Sequence, residues 1–260
     1  MTILDQFGRP IPAADIRRLR EEEVTPSLAG VRTAWAGHPA DGITPARLAG
    51  ILRDAAQGNA MRYLELAEEL EERDLHYAGV LATRKRAVTQ LPITVMEAGS
   101  DEAAIEHAEF IRAWVESEVL QDALFDILDG VGKGFSVHEI VWETGPAGMR
   151  PARLVYRPQR WFDVANGFEA PAEGEAPSRD PVEIGDTIML REAATLAPLL
   201  PHKFLVHRHK AKSGLLMRSG LARVACWAWM FKAFTLRDWA AFVSNYGQPL
   251  RLGKYGPESS

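Results

Sequence analysis

The chain has 260 residues, 47% hydrophobic and 25% charged, the proportions of an ordinary soluble globular protein with a core to bury. Its formal net charge of -5 lacks the basic excess of a protein that grips nucleic acid by bulk charge. The single cysteine, Cys226, excludes an internal disulfide and a multi-cysteine zinc site, and fits a reducing cytoplasm.

The first residues, "MTILDQFGRPIPAADIRR", meet Asp5, Pro10 and Pro12 too early for a signal peptide. Residues 1–58 read as an N-terminal arm with a short helix from Ala13 to Glu23, then a helix in "ITPARLAGILRDAA". There Thr44 can cap and Pro45 takes the first helical position, with Leu48, Ile51 and Leu52 as the apolar stripe. "NAMRYLELAEELEERD" puts Met61, Leu64, Ala67 and Leu70 on one face and carboxylates on the other. "LHYAGVLATRKRAVTQL" follows, with apolar Leu75, Ala78, Val80 and Leu81 and with the cations "RKR" near its C-terminal end, where they suit the helix dipole. The β-branched "PITVMEA" predicts a strand.

"DEAAIEHAEFIRAWVESEV" carries Ile105, Ala108, Ile111 and Val115 at helical spacing. "LQDALFDILDGVG" continues in the same way with Leu120, Leu124, Ile127, Leu128 and Val131 inside, and "FSVHEIVWE" reads as a strand. Residues 146–210 change texture, with many prolines and glycines and short strand candidates at "ARLVY", "WFDV", "DTIML" and "KFLVHRHKAK"; "EAPAEGEAPSRD" is a loop by composition. From 211 to 260 the chain returns to helix in "SGLARVACWAWMFKAFTLRDWAAFVSNYG", with Ser219 as N-cap and Gly247 past the end, and then a short strand in "LRLGKYG". The middle of that helix, with Trp227, Trp229, Met230, Phe231 and Phe234, is apolar nearly all round and demands cover from its own fold or from neighbouring subunits. Its apolar run is far shorter than the ~18 residues of a membrane span.

The stretch "GVGKGFS" at 130–136 has the composition of a phosphate-binding loop. Its setting is reversed, however. A helix runs into it and a strand leaves it, so a helix C-terminus faces the turn, and the spacing fits neither GxxxxGK[ST] nor GxGxxG. A C-capping turn accounts for Gly130, Gly132 and Gly134, with a positive φ expected at one or more of them and Lys133 as a surface cation. In "VHRHK", His207 and His209 would share one face of a strand, but no acidic partner at ligand spacing accompanies them. No local signature marks a nucleophile and its base, and no cofactor is called for. The residue-level reading is an α+β scaffold with a β-rich insertion, pointing to assembly more than catalysis.

The order "EERDLHYAGVLATRKRAVTQLPITV", "LFDILDGVGKGFSVHEIVWE", "RPQRWF", "KFLVHRHKAKSGL", "RDWAAFVSNYGQPLRLGKYG" resembles the portal protein of Mu-like bacteriophages and prophages, from about residue 59 onward. The resemblance implies a non-enzymatic structural protein. Such portals form a ring of about twelve subunits at one capsid vertex, and double-stranded DNA passes through it without sequence-specific contacts during packaging and ejection. Implied partners are further copies of the chain, the terminase, and capsid and head-completion or neck proteins, with no membrane. The implied location is the virion, preceded by the host cytoplasm during assembly. The portal-like fold would place wing and stem segments at 59–145, a β-rich clip-like insertion at 146–210 and a returning stem helix at 211–260. Lys203, His207, Arg208, Lys210 and Lys212 are then candidates for DNA-backbone or subunit contacts, and Trp227, Trp229, Phe231 and Phe234 for the subunit-interface helix. Two other readings stay open: a DNA- or nucleotide-acting hydrolase using the 130–134 loop or His207 and His209, and a virion adaptor that forms no ring.

Overall fold

In the computed structural model of the chain the described residues are 10–24, 39–145, 148–165, 187–192 and 195–247, with the single positions 253, 256 and 258. The loop "EAPAEGEAPSRD" and most of "LRLGKYG" lie outside them.

Helix α1 (Ala13–Arg20) is followed by α2 (Pro45–Ala56), which starts where expected, with the Thr44 hydroxyl accepting from the Arg47 amide at 3.2 Å. Helix α3 (Met61–Arg73) is the centre of the helical layer, and its Tyr63, Leu64, Leu66, Ala67 and Leu70 have no exposed surface. Asp74 then caps α4 (Leu75–Thr89), accepting from the amides of His76 and Tyr77. Of the apolar residues read on α4, Leu81 is buried, while Leu75 and Val80 face out; Tyr77 and Lys85 complete the inner face. Helices α5 (Glu102–Val115) and α6 (Glu118–Ile127) bury Ala108, Val115, Leu120 and Ala123 and leave Ile105 and Ile111 exposed. A single turn, α7 (Gly130–Lys133), leads into the sheet.

The expected strand at "PITVMEA" is corrected by the structure: among the described residues, 92–97 pair with no strand. β-propensity reflects cross-strand packing, and among the described residues no strand pairs with the segment. The Val95 carbonyl instead accepts from the guanidinium of Arg112 on α5.

Strand β1 (Phe135–Gly145) pairs antiparallel with both β2 (Gly148–Arg157) and β6 (Phe204–Arg208), in the order β2-β1-β6. The sheet therefore joins strands from both sides of position 146. Its register slips where Trp142 meets Pro151, a residue with no amide hydrogen to offer the ladder. A second sheet of β3 (Phe162–Ala165), β4 (Thr187–Glu192) and β5 (Thr195–Pro198) forms a meander. Phe162, Val164, Ile188 and Leu190 of that sheet share one core with α2, α3 and Phe135 and Val137 of β1.

Helix α8 (Ala222–Tyr246) packs on α3, α2 and α7. Ser219 is not its cap, because Leu216–Arg218 form a 3-10 turn first and the Ser219 hydroxyl donates to the Lys212 carbonyl. Gly247 does follow the helix. Among the described residues no helix is long and apolar enough to cross a membrane.

Candidate functional site

Helix α8 has two apolar faces. The inner one carries Ala222, Cys226, Trp229 and Met230, all buried against the body, with Phe234 half-buried beside them. Burial pushes the Cys226 thiol up to about 12, so the lone cysteine is an inert core residue. The outer face carries Val224, Phe231, Trp239, Phe242 and Tyr246, each between 54% and 75% exposed. Together with Ala228 and Thr235 these fall at steps of four, three, four, four, three and four residues. That is two repeats of eleven residues in three turns, so the stripe runs almost straight along the axis for about 33 Å at the α-helical rise. Trp239, Phe242 and Tyr246 stack in sequence, with ring centroids 5.9 and 5.3 Å apart.

From Thr235 to Tyr246 every residue is exposed. The last clamp to the body is Lys232, whose ammonium reaches the Asp74 carboxylate at 3.1 and 3.2 Å. The sequence reading grouped Trp227, Trp229, Phe231 and Phe234 together. The structure divides them: Trp229 and Phe234 serve the subunit's own core, while Trp227 and Phe231 look outward.

Two buried ion networks fix the body on which α8 rests. In the first, Asp129 lies between Lys85, at 2.8 Å, and Lys133, at 2.7 Å. Gln159 donates to the same carboxylate at 2.7 Å, and Lys133 also pairs with Glu71 at 3.0 Å. Burial alone would raise the Asp129 carboxyl, but Lys133 and Lys85 outweigh it and hold it far below the usual carboxylate range. Burial likewise opposes the Lys133 charge, and Asp129 and Glu71 overcome it. Lys133 is therefore not the expected surface cation. It is 3% exposed and neutralised, and the buried glycine turn around it presents no cation to an anion.

In the second network Glu139 of β1 accepts from Arg157 at 2.9 Å, from the Val24 amide at 3.1 Å and from the Glu23 amide, with Lys203 at 3.3 Å. Lys203 also donates to the carbonyls of Leu19, at 3.1 Å, and Glu21. These contacts stitch the N-terminal arm to the sheet. Lys203 is fully buried, so as folded it presents no charge to a DNA phosphate.

The other basic candidates separate in the same way. The His207 ring packs against Gly130, and its Nε2 is buried without a partner among the described residues. Its backbone neighbour Arg208 is exposed, and the His209 amide donates to the Gly134 carbonyl at 2.9 Å. Lys210 and Lys212 are exposed. Among the described residues no group of three or more His, Cys, Asp or Glu side chains is placed to hold a metal ion.

His138 on β1 was not singled out in the sequence. It has no exposed surface, neither ring nitrogen has a partner among the described residues, and it meets the Tyr156 ring edge-on at 5.7 Å. Burial brings its pKa down to about 4 against a partial pull upward from Asp129. A base whose folded pKa lies below its unfolded value stabilises the fold fully above the unfolded value, about 6.5. That contribution is lost as pH falls from about 6.5 to about 4, and it amounts to about 3 kcal/mol at most. Urea midpoints measured across this window should fall more steeply for the parent than for His138→Phe. Equal slopes would show that His138 does not titrate with folding.

Residues 64–260 match the family described as the portal protein of Mu bacteriophage. Over 263 residues, 99% of this chain and 47% of the relative, the chain is 35% identical to the Mu-like prophage FluMu protein gp29 of Haemophilus influenzae. It is 32% identical over 257 residues, 97% of this chain and 46% of the relative, to the portal protein of Escherichia phage Mu. The chain spans about half the length of the curated relatives it matches. The family is structural and not enzymatic, which sets aside the hydrolase reading. With a body locked by buried charge and a helix whose second face lacks cover, this chain belongs to the Mu bacteriophage portal protein family.

Proposed function

We propose that the chain forms the part of a portal subunit that packs against copies of itself through α8, in a ring that conducts double-stranded DNA at the capsid vertex. The observation that carries this reading is the straight apolar stripe Val224–Tyr246 on the side of α8 opposite its own core. An eleven-residue repeat suits a partner helix lying nearly parallel to it with a slight right-handed twist. In this reading 59–145 contributes to wing and stem, 146–210 to a clip-like part facing the terminase, and 211–260 to the stem. Head-completion or neck proteins dock later. The fold is then portal-like, and the net acidic chain keeps the channel wall from holding a sliding duplex tightly.

Electron microscopy and native mass spectrometry of the purified chain and of a full-length relative test this. Rings are expected. Trp239→Glu combined with Phe242→Glu should abolish them while changing subunit stability by no more than about 0.5 kcal/mol, since both side chains are exposed. Monomers only, at high concentration and in the full-length relative as well, would sink the reading. Complexes with other virion proteins but no homo-oligomer would favour an adaptor.

A further inference from the structure

The glycine turn is not a phosphate cradle, but the loop pinned to it has the chemistry of one. The chain from His209 to Gly214 is held at one end by the His209 amide on the Gly134 carbonyl, and towards the other by the Ser219 hydroxyl on the Lys212 carbonyl. Between these anchors lies an open cleft of about 370 Å³ lined by Lys210, Ala211, Lys212, Ser213 and Gly214. Among the described residues no carboxylate lines it. None of the backbone amides of residues 210–214 donates a hydrogen bond among the described residues, and neither lysine has an ion-pair partner there.

Several other cations of the described surface are already paired. Arg73, Arg150, Arg153 and Lys232 each face a carboxylate within 3.1 Å. Arg84 adds positive potential beside the loop, since it acts on His209. Two free ammoniums, a hydroxyl and a run of unspent amides around a cleft form a concavity for anionic oxygen.

We propose that the loop Lys210–Gly214 is a contact for the phosphate backbone of double-stranded DNA. The inference rests on the portal reading above and gives that reading a place of contact. A duplex presents phosphates in series to such a loop, and two lysines hold it weakly and without regard to sequence. Weak repeated contacts of this kind let a duplex be registered at the wall and still move.

The test is fluorescence anisotropy of the 260-residue chain with a labelled duplex at about 50 to 200 mM salt. Lys210→Ala with Lys212→Ala should weaken binding about tenfold at the low end and reduce the log–log salt slope by about 1.8. Unchanged affinity and slope overturn the proposal. Arg150→Ala, an exposed cation already paired with Glu143, should leave both unchanged, and an equal loss there would overturn the assignment to this loop. Inorganic phosphate should displace the duplex no better than chloride at equal ionic strength. Stronger displacement would mark a pocket for free phosphate and overturn the backbone assignment. Microscopy of the same samples keeps the two readings apart: the loop is decided by the difference in DNA binding between parent and variant, the portal reading by whether the parent assembles.

Discussion

Replacing Asp129 by asparagine is expected to cost about 4 kcal/mol of folding stability. The substitution keeps the shape of the side chain and removes only its charge. Lys85 and Lys133, 6% and 4% exposed at their side chains, would then be left with Glu71, which pairs with Lys133 at 3.0 Å and whose own pKa burial already raises. A buried pair broken on one side leaves an uncompensated ion, and that desolvation penalty dominates the cost. Adding Lys85→Met should recover part of the loss by restoring neutrality, although Lys85 also lies 4.7 Å from the Phe125 ring centroid. Denaturant unfolding of the two single variants and the double gives the coupling directly. A loss below about 1 kcal/mol for Asp129→Asn would mean that water reaches the network, contrary to its burial.

Gly134→Ala is the second large effect, also about 4 kcal/mol. Gly134 has φ +103°, and a Cβ there would come 2.4 Å from the Leu216 carbonyl oxygen. That oxygen belongs to backbone and cannot swing aside. The opposite strand of the contact is equally tight, because a Cβ on Gly220 would lie 2.5 Å from the Gly132 carbonyl. The two glycines let the turn before β1 and the turn before α8 meet back to back, sealed by the Leu221 amide donating to the Val131 carbonyl at 3.1 Å. Gly42→Ala isolates the conformational part, since Gly42 also has positive φ but open space around its Cα; about 1 kcal/mol is expected there. Similar melting temperatures for the two variants would refute the steric account.

The glycine cluster at 130–134 was thus legible as a turn and illegible as a clasp. Its letters announce backbone freedom, and the positive φ at Gly134 follows from the C-cap reading. Its partner turn lies about 80 residues further on, and no local pattern reveals it. The buried ions divide along the same line. Asp129 and Lys133 stand four apart and could be paired from the sequence. Lys203 could not be placed, because its partners Glu139, Leu19 and Glu21 come from two other parts of the chain.

Helices α2 to α6 were readable because periodicity and capping are local. The strand expected at residues 92–97 failed because pairing is not. On α8 the even spread of apolar residues signalled unusual cover, but only the packing shows which side is already covered. The family resemblance, seen from about residue 59, agrees with the family match from residue 64, since it rests on motif order and needs no contacts.

The outer half of α8 would give the proposed subunit contact a particular thermodynamic character. Twelve residues, Thr235–Tyr246, extend beyond the Lys232 clamp, all of them exposed and without tertiary support among the described residues. A helical segment that short is marginal in water without help. Its backbone order in a lone subunit therefore depends on what the inner half templates. Association along the stripe would tighten this helix at the same moment as it buries the aromatic rings. The heat-capacity change on assembly would then be negative and would contain a folding component as well as a docking one. Assembly and the completion of α8 would be one cooperative event.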